Sequence, residues 1–480
     1  MGSFAILVCC LGVAVLFHLD WDTTVRTSKA LWIPVIWLWL VGSRGVSQWF
    51  GVGASRGLEG TLEGNPLDAA IFGVLIVIGT IVLLNRRVQT RAYLAVITPV
   101  VIYSVYCLLS VTWAPYPGPA LKRWTKDVGD VVMVLILAME THPLEALRRV
   151  YSRVAFILFP FSFALIRYTT LGRAWDNDGK LSIVGVTDNK NSLGLIVFVV
   201  SMGLVWNLRW LLTNRSAPNR NRRLVSEGIV LAFGLYLLAV ANSSTSKACF
   251  FLGSGLMLAL QARAFRRWPS RVHLVCVVII VVSASALLSG DLAANVLGRD
   301  SNLSGRTFLW DAMLPAVSNP AIGVGFDSFW TSPNAQIFHR NLELLHWYHP
   351  EGINEAHNGY LEVYLNLGWI GVCLIALILT SGYLRAGKAF RRDPELGSLM
   401  IAYIITGAIY SVTEAGFRTL NPMWIFILLA VVSVSGANAC LFGSETTTRP
   451  QVLECGENDG WWQAVPETDP QATLSGWRGL

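Results

Sequence analysis

Thirteen apolar stretches divide this chain of 480 residues, centred on 4–17, 30–42, 68–84, 94–113, 127–139, 153–166, 192–207, 228–241, 248–262, 272–289, 361–384, 397–412 and 423–441. Crossing the hydrocarbon of a bilayer takes about 20 mostly apolar helical residues. No water bonds the backbone there, so an isolated apolar run satisfies its N–H and C=O groups only by coiling into a helix. Several runs are short and the first can be re-entrant, so 12–13 spans are expected. The expected fold is all-α: a polytopic transmembrane helical bundle with one large outer-face loop containing short helices. Only 14% of the residues are charged, against about 25% in water-soluble chains. The first run has neither a basic n-region nor a small-residue cleavage site, and it reads as a retained span.

Sidedness follows from the cations. Segments with Arg86/Arg87/Arg91, Arg148/Arg149/Arg153, Arg209 through Arg223, Arg263 through Arg271, and Arg385 through Arg392 alternate with poorer ones. The richer side is cytoplasmic by the positive-inside rule. The net charge of +7 is therefore topological, and no nucleic-acid partner is implied. Seven of the eight cysteines fall inside apolar runs without a C-x-x-C pair, so they read as small buried hydrophobes.

Residues 290–356 form the one long connection, on the outer face, and loops of that length in compact architecture are usually functional. The expected organisation is an N-terminal bundle (1–289), a periplasmic catalytic loop (290–358), C-terminal helices (359–442) and a polar, disordered cytoplasmic tail (443–480). The loop holds Ser304-Gly305-Arg306-Thr307-Phe308-Leu309-Trp310, read as the start of a surface-lying amphipathic helix. Asn319-Pro320 then turns the chain, and Gly323-Val324-Gly325 reads as backbone that can approach a ligand. Glu355-Ala356-His357-Asn358 closes the loop.

His357-Asn358, nine residues, then Gly368-Trp369-Ile370-Gly371 resembles the H-[NSQ]-x9-G-x-x-[GTY] signature of bacterial O-antigen ligases. Gly305-Arg306…Trp310 and Asn319-Pro320…Gly323-Val324-Gly325 are also similar to the domain shared by O-antigen ligases and polymerases. The resemblance is sharpest over about 240–385 and weaker over Gly185 to Gly194. It implies a metal-independent, cofactor-free GT-C glycosyltransferase. Such an enzyme moves a glycan from undecaprenyl pyrophosphate to an acceptor hydroxyl of a glycan or lipid A-core, on the periplasmic face of the bacterial inner membrane. It further implies a basic residue at Lys247, a second at Arg306, and a histidine at His357. The family usually has arginine at the first position, and lysine keeps the charge but lacks a bidentate fork.

The residue types suit that chemistry. A departing lipid pyrophosphate calls for cations, a role for Arg306 and Lys247. The acceptor hydroxyl calls for a base titrating near neutrality, a role for His357, with Glu355 or Asn358 orienting the imidazole. Lys190, Asn358 and Trp310 are further substrate-binding candidates. Each has a plainer reading. His357 can simply start a helix, Arg306 can meet lipid headgroups, and Lys247 can snorkel. Lys190, Arg44 and Arg56 can anchor at the interface, and Trp310 can belong to an aromatic belt. A zinc site from His346, His349 and His357 is disfavoured by Pro350. The rival class is a flippase or other export component, which expects ionisable residues facing one another inside spans; Asp127, Asp130 and Glu414 come nearest to that.

Overall fold

The computed structural model describes residues 2–22, 24–52, 64–86, 93, 97–175, 179, 181–288, 309–344 and 355–442. Arg306, Arg56, His346, His349 and the tail from 443 lie outside the described residues. A helix underlies each of the thirteen apolar stretches. In chain order, with the helix of the long loop included, they are α1 (Gly2–Leu19), α2 (Trp32–Val41), α3 (Pro66–Asn85), α4 (Thr98–Ser110), α5 (Pro117–Ala138), α6 (Pro143–Tyr168) and α7 (Lys190–Thr213). There follow α8 (Arg220–Ala241), α9 (Ser244–Leu260), α10 (Ser270–Leu288), the loop helix α11 (Pro333–Leu344), α12 (Gly359–Arg392), α13 (Pro394–Thr413) and α14 (Pro422–Phe442). Among the described residues, 6 helices are long and apolar enough to cross a membrane alone, and shorter apolar ones of 10–17 residues accompany them. The chain is a polytopic helical membrane protein.

Helix starts follow local chemistry. Proline stands at the first turn of α3, α5, α6 and α13, where its missing N–H costs nothing. Asn65, Asn189, Asn358 and Asp393 cap α3, α7, α12 and α13 with side-chain oxygens. The core is the continuous apolar packing of α6, α7, α9, α12, α13 and α14. By contrast, α1, α3 and α10 show exposed Phe4, Val77 and Val282, as lipid-facing helices do. One departure from all-α is a small hairpin in which β1 (Arg173–Trp175) pairs antiparallel with β2 (Leu181–Ile183).

The long connection is built, not merely draped. Leu309, Met313, Val317, Phe329 and Phe338 form their own core with Leu365 of α12. Against it, α12 is broken at Gly368, whose φ of 63° and ψ of −165° suit only glycine. The freed backbone groups bond to the loop. Trp369 N donates to Pro320 O (2.9 Å), while Val324 N and Gly325 N donate to Leu365 O (3.2 Å) and Asn366 O (2.8 Å). A Cβ on Gly323 would lie 2.5 Å from Asn366 backbone, and one on Gly368 would lie 2.3 Å from Ala321 backbone. So Gly323 permits a close approach to α12, and Gly325 one to Ala114, just beyond the end of α4. The two glycine motifs are halves of one contact. Beyond the break, 369–392 alone is about 36 Å of helix, enough to cross the hydrocarbon.

Candidate active site

His357 is held by the chain on both sides of it. The Ala356 carbonyl accepts from Trp310 Nε1 (3.0 Å), and Ala356 N donates to Glu362 Oε2 (3.0 Å). Asn358 caps α12, its Oδ1 accepting from Tyr360 N and Leu361 N at 3.0 Å each. Between them His357 sits at φ 48°, a left-handed conformation that a residue with a side chain adopts only when its surroundings impose it.

The imidazole is half-exposed and faces two carboxylates. Nδ1 is 3.6 Å from Glu414 Oε2 and 3.8 Å from Glu355 Oε1. Glu414 follows α13, and Glu355 Oε1 also accepts from Ala415 N (3.3 Å), tying the long loop to the α13–α14 turn. Ligand atoms of Glu355, His357 and Glu414 lie within 4.8 Å of one another, close enough to hold a metal ion. The same spacing suits a protonated imidazole between two carboxylates.

Glu355 lines a cavity of about 340 Å³ with Ser43, Thr187, Asp188, Asn189, Ser192, Arg418, Thr419 and Asn421. It sits where the end of α2, the start of α7 and the α13–α14 turn converge, so it is on the face of the long loop. That turn is pinned from within the bundle. Leu420 N donates to Asp130 Oδ2 (3.0 Å), whose Oδ1 accepts from Trp37 Nε1 (2.8 Å). Asp127 likewise accepts from Trp424 Nε1 (3.1 Å). Asp127 and Asp130 thus each have a tryptophan partner. Burial pushes Arg418 down, but Glu362, then Asp327 and Glu355, outweigh it and hold the guanidinium above its ordinary value. Asp327 is in turn 3.8 Å from Arg123 Nε of α5.

The residues singled out in the sequence fall in different places. His357 is at the centre of the cluster. Lys190 begins α7, beside the cavity-lining Asn189. Lys247 is in the first turn of α9, which meets the Glu414 segment through Thr245 Oγ1 and Thr413 Oγ1 (3.2 Å). Asn358 is engaged as the helix cap, so Glu355 and Glu414 are the groups that face the ring. Trp310 grips the peptide before His357. Arg44 ties its own loop to Thr187 O (3.0 Å) and lies 3.7 Å from Asp188. Arg418 is absent from the residues that sequence singles out. Its only signal is a charge in a short connection, Glu414-Ala415-Gly416-Phe417-Arg418, between two nearly uncharged spans.

Bundle and cluster together define a multi-pass membrane protein whose loop face carries a cation-bordered cavity beside an acid-flanked histidine. Residues 229–376 match the model of the O-antigen ligase family. The chain is also similar to the exopolysaccharide production protein ExoQ of Rhizobium meliloti (strain 1021), at 26% identity over 304 residues. That stretch is 61% of this chain and 66% of the relative, just under two thirds of the relative's length. The family match contains Lys247, His357 and the Gly368 break, whereas Glu414 and Arg418 lie beyond it.

Proposed function

We propose that this protein is a glycosyltransferase that moves a glycan from polyprenyl (undecaprenyl) pyrophosphate to an acceptor hydroxyl, at the periplasmic face of the bacterial inner membrane. The observation that carries the reading is His357 between Glu355 and Glu414 at the edge of the Arg418-lined cavity. With Nδ1 toward the carboxylates, the ring presents Nε2 as the base. Nε2 takes the acceptor hydroxyl proton as the oxygen attacks the anomeric carbon. The bond to the pyrophosphate oxygen breaks in the same displacement, and its electron pair leaves with the phosphate. The configuration inverts without a covalent enzyme intermediate and without a metal ion.

The departing charge falls to Arg306 and Lys247, joined by Arg418, with Lys190 at the margin. Preorganised cations where charge develops lower the barrier directly. In this reading the 290–358 segment is the catalytic loop, and the segments 1–289 and 359–442 supply the bundle and the remaining cations. The name of the exopolysaccharide relative favours a growing polysaccharide as acceptor over a lipid A-core. The test is transfer from a lipid-linked donor by the full-length protein in vesicles. His357→Ala is expected to lower it by about 10²–10⁴, and Arg306→Ala to lower it strongly, each with the fold intact; wild-type transfer by His357→Ala would overturn the base assignment.

A further inference from the structure

Glu362 lies in the first turn of α12, five residues after His357, and is only 3% exposed. A carboxylate taken out of water is costly unless every oxygen is engaged. Here both are. Oε1 accepts from Trp330 Nε1 at 2.6 Å, and Oε2 accepts from Ala356 N at 3.0 Å. Ala356 is 0% exposed, and its carbonyl is taken by Trp310. The peptide that launches His357 into a left-handed conformation is thus clamped at both polar groups, one of them by Glu362. One side chain therefore reaches the histidine through its backbone and ties it to the Trp330 side of the loop core.

We propose that Glu362 is the positioning residue of this site, a single buried carboxylate that fixes the peptide presenting His357. This rests on His357 being the base of the transfer. A glutamate is needed there because the contacts are two N–H donors, one to each oxygen. Glutamine would turn its NH2 toward one of those donors. An inert buried acid would affect folding alone. A positioning acid affects turnover per folded molecule, and it alters the charge around the imidazole. Among the described residues, the charged groups facing that imidazole are Glu355 from the loop and Glu414 after α13, with Arg418 of the α13–α14 turn lining the same cavity as Glu355.

The experiment follows kcat and KM of the full-length protein in vesicles from pH 5 to 9, for wild type, Glu362→Gln, Trp330→Phe and His357→Ala. Folded protein is quantified by size-exclusion and thermal unfolding. Glu362→Gln is expected to lower kcat about 10–100-fold per folded molecule, with KM for the donor little changed. Its acid limb should move to lower pH, because loss of a buried negative charge beside the His357 peptide disfavours the imidazolium. Trp330→Phe removes one donor and no charge, so kcat should fall several-fold with the limb unmoved. This variant decides the matter should Glu362→Gln not fold. Wild-type kcat and limb position in both variants, or in Trp330→Phe alone if only it folds, would overturn the proposal. So would a Glu362→Gln loss accounted for by unfolded protein. An active His357→Ala would instead sink the base reading itself, which keeps the two failures apart.

Discussion

The bundle carries charge on both faces, but in opposite ways. Opposite the long loop, buried arginines are locked to carboxylates across helix ends. Arg148 Nη2 donates to Glu395 Oε1 at 2.6 Å while its guanidinium stacks 3.9 Å from the Trp210 ring. Arg223, 1% exposed, lies 3.2 Å from Glu145 and 3.4 Å from Asp20. Arg86 bonds Glu140 Oε1 at 2.7 Å, and Ser28 holds the same carboxylate. These groups join elements far apart in sequence. On the loop face, a half-exposed imidazole instead stands beside Glu355, which with Arg418 borders an open cavity of about 340 Å³. Charge that is sealed between helices holds a structure together, whereas charge that borders open space is available for chemistry.

The sharpest way to break that contrast is to remove His357 and one buried arginine and compare what each loses. His357→Ala is expected to cost about 10²–10⁴ in turnover, the usual worth of a general base, with little change in unfolding temperature. Arg223→Ala should do the reverse. Removing one partner of a buried pair costs about 3–5 kcal/mol, read by thermal or denaturant unfolding in detergent, while the surviving folded protein keeps its turnover. If Arg223→Ala leaves stability intact, or His357→Ala unfolds the bundle, the division between the faces is wrong.

pH sharpens it further, because the faces answer in different windows. Burial raises the Glu140 carboxyl, but bonds from Ser28 and Arg86 outweigh it and hold it below the ordinary carboxylate range. A depressed acid stabilises the fold above its unfolded value, near 4.3, and that contribution is lost as pH falls through the folded value. Turnover that needs a neutral imidazole should fail at higher pH than this, because imidazoles as a class titrate well above carboxylates. Activity should therefore vanish over a pH range in which the fold is intact, measurable by following both in the same vesicles.

A smaller effect is expected at Asn358. Asn358→Ala removes the cap of α12, worth about 1 kcal/mol, and should slow transfer only modestly. A loss matching that of His357→Ala would return Asn358 to the substrate. The smallest is no effect at all: chelation by EDTA should leave turnover unchanged. Activity lost on chelation and restored by one divalent cation would make Glu355, His357 and Glu414 metal ligands.

Much of the fold is legible in the order of residues alone. Apolar length specifies the helices, since lipid leaves the backbone no other partner, and each of the thirteen runs lies on one. Spacing singles out His357 and Gly368, because a helix start and a break within the same helix are local features of α12. Legibility stops where the partner is remote. Glu414 and Arg418 are some sixty residues beyond His357, in a turn whose place is set by Asp130 of α5. By sequence, Asp127 and Asp130 resemble transport charges; their tryptophan partners come from α14 and α2.

What the amino-acid order determined by itself was therefore everything governed by neighbours along the chain: spans, caps, the helix break and the identity of the histidine at the loop's end. Tertiary structure alone decided which carboxylates surround that histidine, which arginine borders the cavity, and that the two glycine motifs meet each other. Local propensity and hydropathy act over a few turns of helix. A hydrogen bond or an ion pair acts over about 3–4 Å, and only the folding of the bundle brings distant residues within that distance.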